Sequence, residues 1–426
     1  MKQKNKFKET EIGFIPEDWE VLELKDIASY ITEKIDLDEI NINNFVSTEN
    51  MLADKGGIAI ASSLPKVGKV TKFKEGDILF SNIRTYFKKL WLAKFSGGCS
   101  NDVLVIREKT IANNRYLYYF LSQDKFFEFT VLTSKGTKMP RGDKNSIMSY
   151  EINLPPFPEQ LTIAKILSYL DLKIELNKKM NKNLESIGQA IFKRWFVDFE
   201  FPDDNGKPYK SSGGEMIFNE ELDKNIPKGW RVSTIGDQFQ TILGGTPSTQ
   251  NKDYWKNGTV AWINSGEINK FRITEPTAYI TEDAVNKSAT KLMPKGTTIL
   301  AITGATLGQV SRIEIDTCAN QSVIGIIENK EIPSEYIYLW IKYNIIDLIS
   351  HQTGGAQQHI NKNNVNELKI LLPDDSLMLK FRGAMNPIFK NISINCFESQ
   401  NLSKIRDSLL PKLMSGKIRV PVEVRT

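Results

Sequence analysis

The chain has 426 residues, enough for two or three domains, and its 40% apolar and 25% charged composition excludes disorder over most of its length. The formal net charge of +5 is modest, so any anion-binding surface must come from local clusters rather than bulk charge. Cys99, Cys318 and Cys396 are widely spaced and form no CxxC pair, which excludes a disulfide framework and points to a reducing compartment.

Residues 1–11 are polar and lysine-rich, so no signal peptide is expected, and no run of ~18 apolar residues is present to span a membrane. A cytoplasmic protein is expected. The first globule is assigned to 1–155 and opens on Ile15-Pro16-Glu17-Asp18-Trp19. It carries two basic clusters. Lys66, Lys69, Lys72, Lys74, Arg84, Lys88, Lys89 and Lys94 stand against Glu75 and Asp77, and Lys135, Lys138, Arg141 and Lys144 stand against Asp143. Either alone reads as a solvated charged face; together in one half of the chain they suggest an anion-binding surface. Short apolar runs at 77–80 and 103–106 read as strands, and aromatic and aliphatic residues over 114–129 recur at helical spacing. The acidic stretch Asp36, Asp38 and Glu39 finds no role at this level.

A central helix is assigned to 156–200, interrupted in composition only by Gly188. Ile163, Leu170, Asn177, Leu184 and Ile191 form a seven-residue series, widened by Leu167 and Ile174 and, one step off, by Met180 and Ile187. A polar Gly/Ser/Pro-rich linker follows at 201–224. Pro202-Asp203-Asp204 with Lys207 has the residue types of a nuclease set, but a linker cannot preorganise charge.

The second globule, 225–373, repeats the first. Ile226-Pro227-Lys228-Gly229-Trp230, Cys318-Ala319-Asn320, Tyr336-Ile337-Tyr338-Leu339-Trp340 and Ile370-Leu371-Leu372-Pro373 answer Ile15–Trp19, Cys99-Ser100-Asn101, Tyr116-Leu117-Tyr118-Tyr119-Phe120 and Ile152-Asn153-Leu154-Pro155, roughly 215 residues later and in the same order. Strands are expected at 298–302 and 322–327 and a helix at 334–350. A distal helix, 374–420, repeats the seam as Phe381, Ile388, Asn395, Leu402 and Leu409, flanked by Met385, Ile392 and Leu413, with Pro387 predicting a kink or late start. The fold expected is α+β: two pseudo-repeated α/β globules separated by a pair of long antiparallel coiled-coil helices. Asn177 and Asn395 occupy the same central seam place. Either they meet near the pseudo-two-fold axis and fix register, or they are solvated polar residues.

Tools for catalysis are sparse. His351 and His359 have no partner at metal spacing, and no GxxxxGK[ST] loop occurs. Asn153-Leu154-Pro155-Pro156-Phe157 differs from the Asn-Pro-Pro-Phe of adenine methyltransferases by the inserted Leu154 and reads as a proline stop before a helix. No catalytic residue, metal ligand or cofactor is assigned to this chain.

The Ile-Pro-x-x-Trp entries, Leu154-Pro155-Pro156-Phe157-Pro158-Glu159-Gln160, Arg194-Trp195-Phe196-Val197-Asp198-Phe199, the linker from Gly206 to Gly214 and the ending Leu409-Leu410-Pro411-Lys412-Leu413-Met414-Ser415-Gly416 together resemble the specificity subunits of Type I restriction–modification systems over essentially the full chain. Leu372-Pro373-Asp374-Asp375 departs from the pattern and puts the start of the distal helix in doubt. The resemblance implies two target-recognition domains reading the halves of a bipartite site on double-stranded DNA. The helices would be spacers and docks for two methylation subunits carrying S-adenosylmethionine, joined by ATP- and Mg-dependent restriction subunits. A helix of ~40 residues spans ~60 Å, against ~34 Å for one turn of duplex, so a rigid pair can serve as a spacer.

Loops that resemble those approaching DNA in this family supply the candidate contacts: Thr246, Ser248, Thr249, Thr303, Thr306, Gln357, Gln358, His359 and Asn361 in the second globule, and Arg84, Tyr86, Lys135, Lys138 and Arg141 in the first, with Lys66, Lys69 and Lys88 from the basic cluster. Hydroxyls and cations suit phosphate oxygens, and Gln or Asn can pair with adenine. An ordinary turn role stays open for each. A subunit of a related multi-subunit modification system and a coiled-coil protein scaffold are the competing readings, and a stand-alone methyltransferase or nuclease lacks its motifs.

Overall fold

The structure is a computed structural model and describes residues 6–10, 13–350 and 359–421. The chain divides into two compact units, residues 1–173 with 402–426, and residues 174–401. The central helix (Phe157–Phe192) and the distal helix (Asp375–Met414) each contribute to both.

In the first unit a hairpin pairs Phe7–Thr10 with Gly13–Pro16. One four-stranded sheet orders Lys34–Asp36, Lys69–Phe73, Gly97–Cys99 and Phe45–Val46; the second orders Ala28–Tyr30, Val103–Glu108, Ile78–Ser81 and Leu90–Leu92. Strand Glu151–Leu154 pairs with Glu20–Glu23 and delivers the chain to the central helix. Glycine is required where the first sheet closes: a Cβ on Gly97 would lie 2.0 Å from the Asn44 carbonyl oxygen. The helical pattern over 114–129 resolves into two helices, Asn114–Leu121 and Asp124–Leu132, because the Ser122 hydroxyl turns back to the Tyr119 carbonyl at 2.7 Å and ends the first.

The second unit repeats the plan. A hairpin pairs Met216–Asn219 with Lys224–Pro227, so the segment expected as linker carries a strand. Sheets order Gln240–Leu243, Val323–Ile327, Thr298–Ala301 and Val310–Arg312, and Ala278–Ile280, Val260–Ile263 and Cys318–Ala319. Phe199 and Phe201 are buried on Trp230, with Phe201 stacked at 5.2 Å.

The motifs have structural work. Buried Glu159 accepts from Trp19 Nε1 at 3.0 Å and from Arg419 at 2.8 and 2.9 Å, while Gln160 donates to the carbonyls of Pro155 and Ile111 and accepts from Asn113 N–H. This ties the C-terminal segment to the globule entrance within the first unit. In the second half Asp374 caps instead, accepting from Leu377 N–H at 2.9 Å, so the distal helix starts at Asp375. The late start expected at Pro387 does not occur: Pro387 lies inside a helix running from Asp375 to Met414. It and Gly383, whose carbonyl it leaves without a donor, both lie on the exposed face, where water can serve that oxygen.

The helices pack antiparallel. In the second unit Asn181 meets Ile392 and Asn395, and Asn177 meets Glu398; in the first, Asp171 pairs with Arg406 at 2.7 Å. Ile163, Leu167 and Ile174 are buried as expected. Met180 and Ile187 are exposed, and the inward positions are Asn181 and Gly188.

Candidate nucleic-acid interface

In the first unit three segments converge beyond the end of strand Ile78–Ser81. Asn82 N–H donates to the Asp102 carbonyl at 2.8 Å, and the Asn82 carbonyl accepts from Gly142 N–H at 3.1 Å. Arg84 N–H donates to Pro140 at 2.9 Å, and Lys135 and Arg141 exchange two backbone hydrogen bonds of 2.9 Å. Arg84 and Lys88 bracket the short turn Thr85–Phe87 at φ +49° and +51°, a strained conformation for non-glycine residues that turns Tyr86 outward onto Phe87. The result is a cleft of about 590 Å³ lined by Asn82, Asn101, Asp102, Lys135, Arg141, Gly142, Asp143, Lys144 and Asn145. The fold therefore gathers the candidates Arg84, Lys135 and Arg141.

Charge in this cleft is mixed. Arg141 pairs with Asp102 at 3.0 Å and Lys135 with Asp143; outside the cleft lining, Lys88 pairs with Asp124 at 2.7 Å. The Lys135 ammonium and Ser146 N–H hold the Asp143 carboxyl down to about 2. Lys138 is exposed on the same segment. Lys69 belongs to the other sheet and is bound by Asp36 at 3.0 Å, while Lys72 is bound by Glu33, so part of the acidic stretch answers the basic strand; Lys66 is exposed in the loop before it.

The second unit builds the corresponding loops with other residues. Thr303 bridges to His359, and Ile360 N–H donates to the Ile302 carbonyl at 3.0 Å, matching the Ile83–Arg141 bridge and the Gly142–Asn82 bond. Gly304, at φ +64°, stands where Arg84 does. Thr306 donates to the Thr303 carbonyl at 3.3 Å, and Asn361 caps helix Lys362–Glu367, accepting from Asn364 N–H at 3.0 Å. Gln357 and Gln358 lie outside the described residues. Thr246 donates to Gln321 at 2.6 Å, the position answering Asp102, and the Ser248 carbonyl accepts from Trp255 Nε1 at 3.2 Å. Thr249 lines a cleft of about 410 Å³ with Lys252, Trp255 and Lys256, and Trp255 packs edge-on against Trp262 at 5.1 Å.

Sequence reasoning gave no role to Asn101 and Asp102, nor in the second unit to Gln321, Lys252 and Lys256, while Asn82 opens the loop of Arg84 and Tyr86 that it did single out. A signal existed: Asn101-Asp102 and Asn320-Gln321 directly follow the repeated Cys-x pair, at the same place in both halves.

On the helices, Asn177 and Asn395 neither turn to one another nor lie in solvent: both are buried, so neither reading of them holds. Asn177 Nδ2 donates to Glu398 at 2.8 Å, and Asn395 Nδ2 donates to Asn181 Oδ1 at 2.9 Å. Each asparagine side chain reaches across to a residue about one turn from the other, which is where the packed register puts its partner. Among the described residues no helix is long and apolar enough to cross a membrane.

A globule written twice, with one cluster of polar loops per copy and long helices shared between the two units, defines a duplicated α+β recognition protein. Residues 16–186 and 227–376 match the Type I restriction modification DNA specificity domain, and the chain belongs to that family. It is 29% identical to the Type I restriction enzyme MjaIX specificity subunit of Methanocaldococcus jannaschii, over 97% of this chain and 96% of that one. It is 27% identical to the HindI specificity subunit of Haemophilus influenzae, over 94% and 100%. A solved S subunit from M. genitalium shares the fold with a TM-score of 0.57 at 16% identity, over 93% of this chain and 96% of that one.

Proposed function

We propose that the chain is the DNA-reading subunit of a Type I restriction–modification complex, each globule reading one half of a two-part asymmetric site while partner subunits perform the chemistry. The carrying observation is that two equivalent loop clusters present different side chains: Arg141 and Asp102 in one, His359 and Gln321 in the other. Equivalent frames with unlike tips suit unlike half-sites.

Phosphate contact falls to the exposed Lys138 and Arg84, and to Thr249 with Lys252 and Lys256. Two methylation subunits dock on the helices. Supporting this, the central helix exposes Tyr169, Leu172, Leu176, Met180 and Ile187, a second apolar stripe besides the one packed on the distal helix. S-adenosylmethionine resides on those subunits, and ATP and Mg on restriction subunits, in the cytoplasm. The test is sequencing of adenine methylation in cells with and without this gene: a split motif disappears on deletion, and an unchanged methylome overturns the reading.

A further inference from the structure

The cleft of the first globule sets a guanidinium beside a carboxylate. Arg141 Nη2 lies 3.0 Å from Asp102 Oδ1, with the two side chains 57% and 38% exposed. Next to them Asn82, only 6% exposed, lines the same cleft with an Oδ1 that has no hydrogen-bond partner among the described residues. That oxygen is buried, and a Cβ on Gly142 would come within 2.9 Å of it, so glycine leaves it room.

Loop support does not account for the pair. Backbone bonds already fix these segments: Lys135 with Arg141 at 2.9 Å in both directions, Gly142 to Asn82 at 3.1 Å, Arg84 to Pro140 at 2.9 Å and Asn82 to Asp102 at 2.8 Å. What the side chains add is a fork of N–H donors with acceptor oxygens alongside. In the major groove guanine presents two acceptors, O6 and N7, and its cytosine partner presents the N4 amino donor. An A·T pair in the same orientation presents the thymine O4 acceptor where that amino group would be, with the methyl group beside it.

We propose that Arg141 and Asp102 together read one G·C base pair of the first half-site, Arg141 donating to guanine O6 and N7 and Asp102 accepting from cytosine N4. This rests on the DNA-reading function proposed above and adds the chemistry of one position. The second globule has Gln321 and His359 at these places, so this reading belongs to the first half alone.

The test selects bound duplexes from a randomised pool, using the full chain with its methylation subunits, for the native protein, Asp102→Asn and Arg141→Ala. Asparagine keeps the shape of aspartate but adds a donor able to meet thymine O4. Asp102→Asn is therefore expected to accept A·T at one first-half position, lowering G·C discrimination there by about ten- to a hundred-fold, with the second half unchanged. Arg141→Ala is expected to lose discrimination at the same position. A native first half without that G·C pair, or uniform weakening on all sequences with the motif intact, overturns the base-pair assignment and leaves the proposed function standing. If the native complex selects no two-part motif, the proposed function fails as well.

Discussion

Glu185 on the central helix is buried, yet it accepts from Arg272 at 2.9 Å and from Tyr338 and Lys342 at 2.8 Å each. Burial pushes its carboxyl up, but Arg272 and Lys342 outweigh that and hold it below its ordinary value of 4.5. Because the folded value is depressed, this contribution to stability is present above pH 4.5 and is lost as pH falls through the lowered value. Urea unfolding should show this acid-side loss in the native chain and a smaller one in Glu185→Gln. Glu185→Leu leaves the Arg272 guanidinium, with no side-chain exposure, short of its nearest carboxylate and should cost about 3–5 kcal/mol. A second residue-scale expectation concerns thiols. Burial pushes Cys99 up to about 12 and Cys396 up to about 11, and raises Cys318. All three should alkylate slowly at pH 8 and fast in denaturant; rapid native reaction at Cys99 would contradict the packing. None of the Glu185 cluster was legible in the sequence, since its members are spread over more than 150 positions and only the fold joins them.

At the scale of the elements, the helix pair is the most legible part and also shows why pattern reading stops short. The series from Ile163 to Ile191 and from Phe381 to Leu409 marked the packed faces. Following apolarity alone, however, placed Met180 and Ile187 inward, where the structure puts Asn181 and Gly188. A polar seam centre and a small residue under bulky neighbours carry no apolar signal. At Gly188 a Cβ would lie 3.8 Å from both Met385 Sδ and the Phe389 ring, an ordinary contact. Gly188→Ala should therefore stabilise by about 0.5–1 kcal/mol in thermal unfolding, while Gly188→Leu must displace those side chains and destabilise. Replacing Asn181 and Asn395 together by leucine should raise unfolding temperature but loosen helix register, read by cross-linking of engineered cysteine pairs along the seam. A single unchanged register would remove the specificity role.

For the whole molecule, the duplication was legible because anchor motifs recur in order: Trp19 with Trp230 at the entrances, Cys99 with Cys318 before the polar loops, and Tyr116 with Tyr336 in the cores. The reading loops were legible only as Gly- and Lys-rich stretches, because a loop's partners are set by strands distant in sequence, as Asn82, Asp102 and Gly142 show. Lys138→Ala should weaken DNA binding on every sequence alike and lower the salt slope by about one unit, whereas a base-reading residue changes preference at one position. The central claim is that one chain holds two independent readers. Its most direct test is adenine-methylation sequencing in cells whose copy of this chain carries Thr303→Ala, His359→Ala or both, in the second reading cluster. The second half of the split motif should relax or change while the first half and the spacing persist; a change in the first half, or an unaltered two-part motif, would contradict the account.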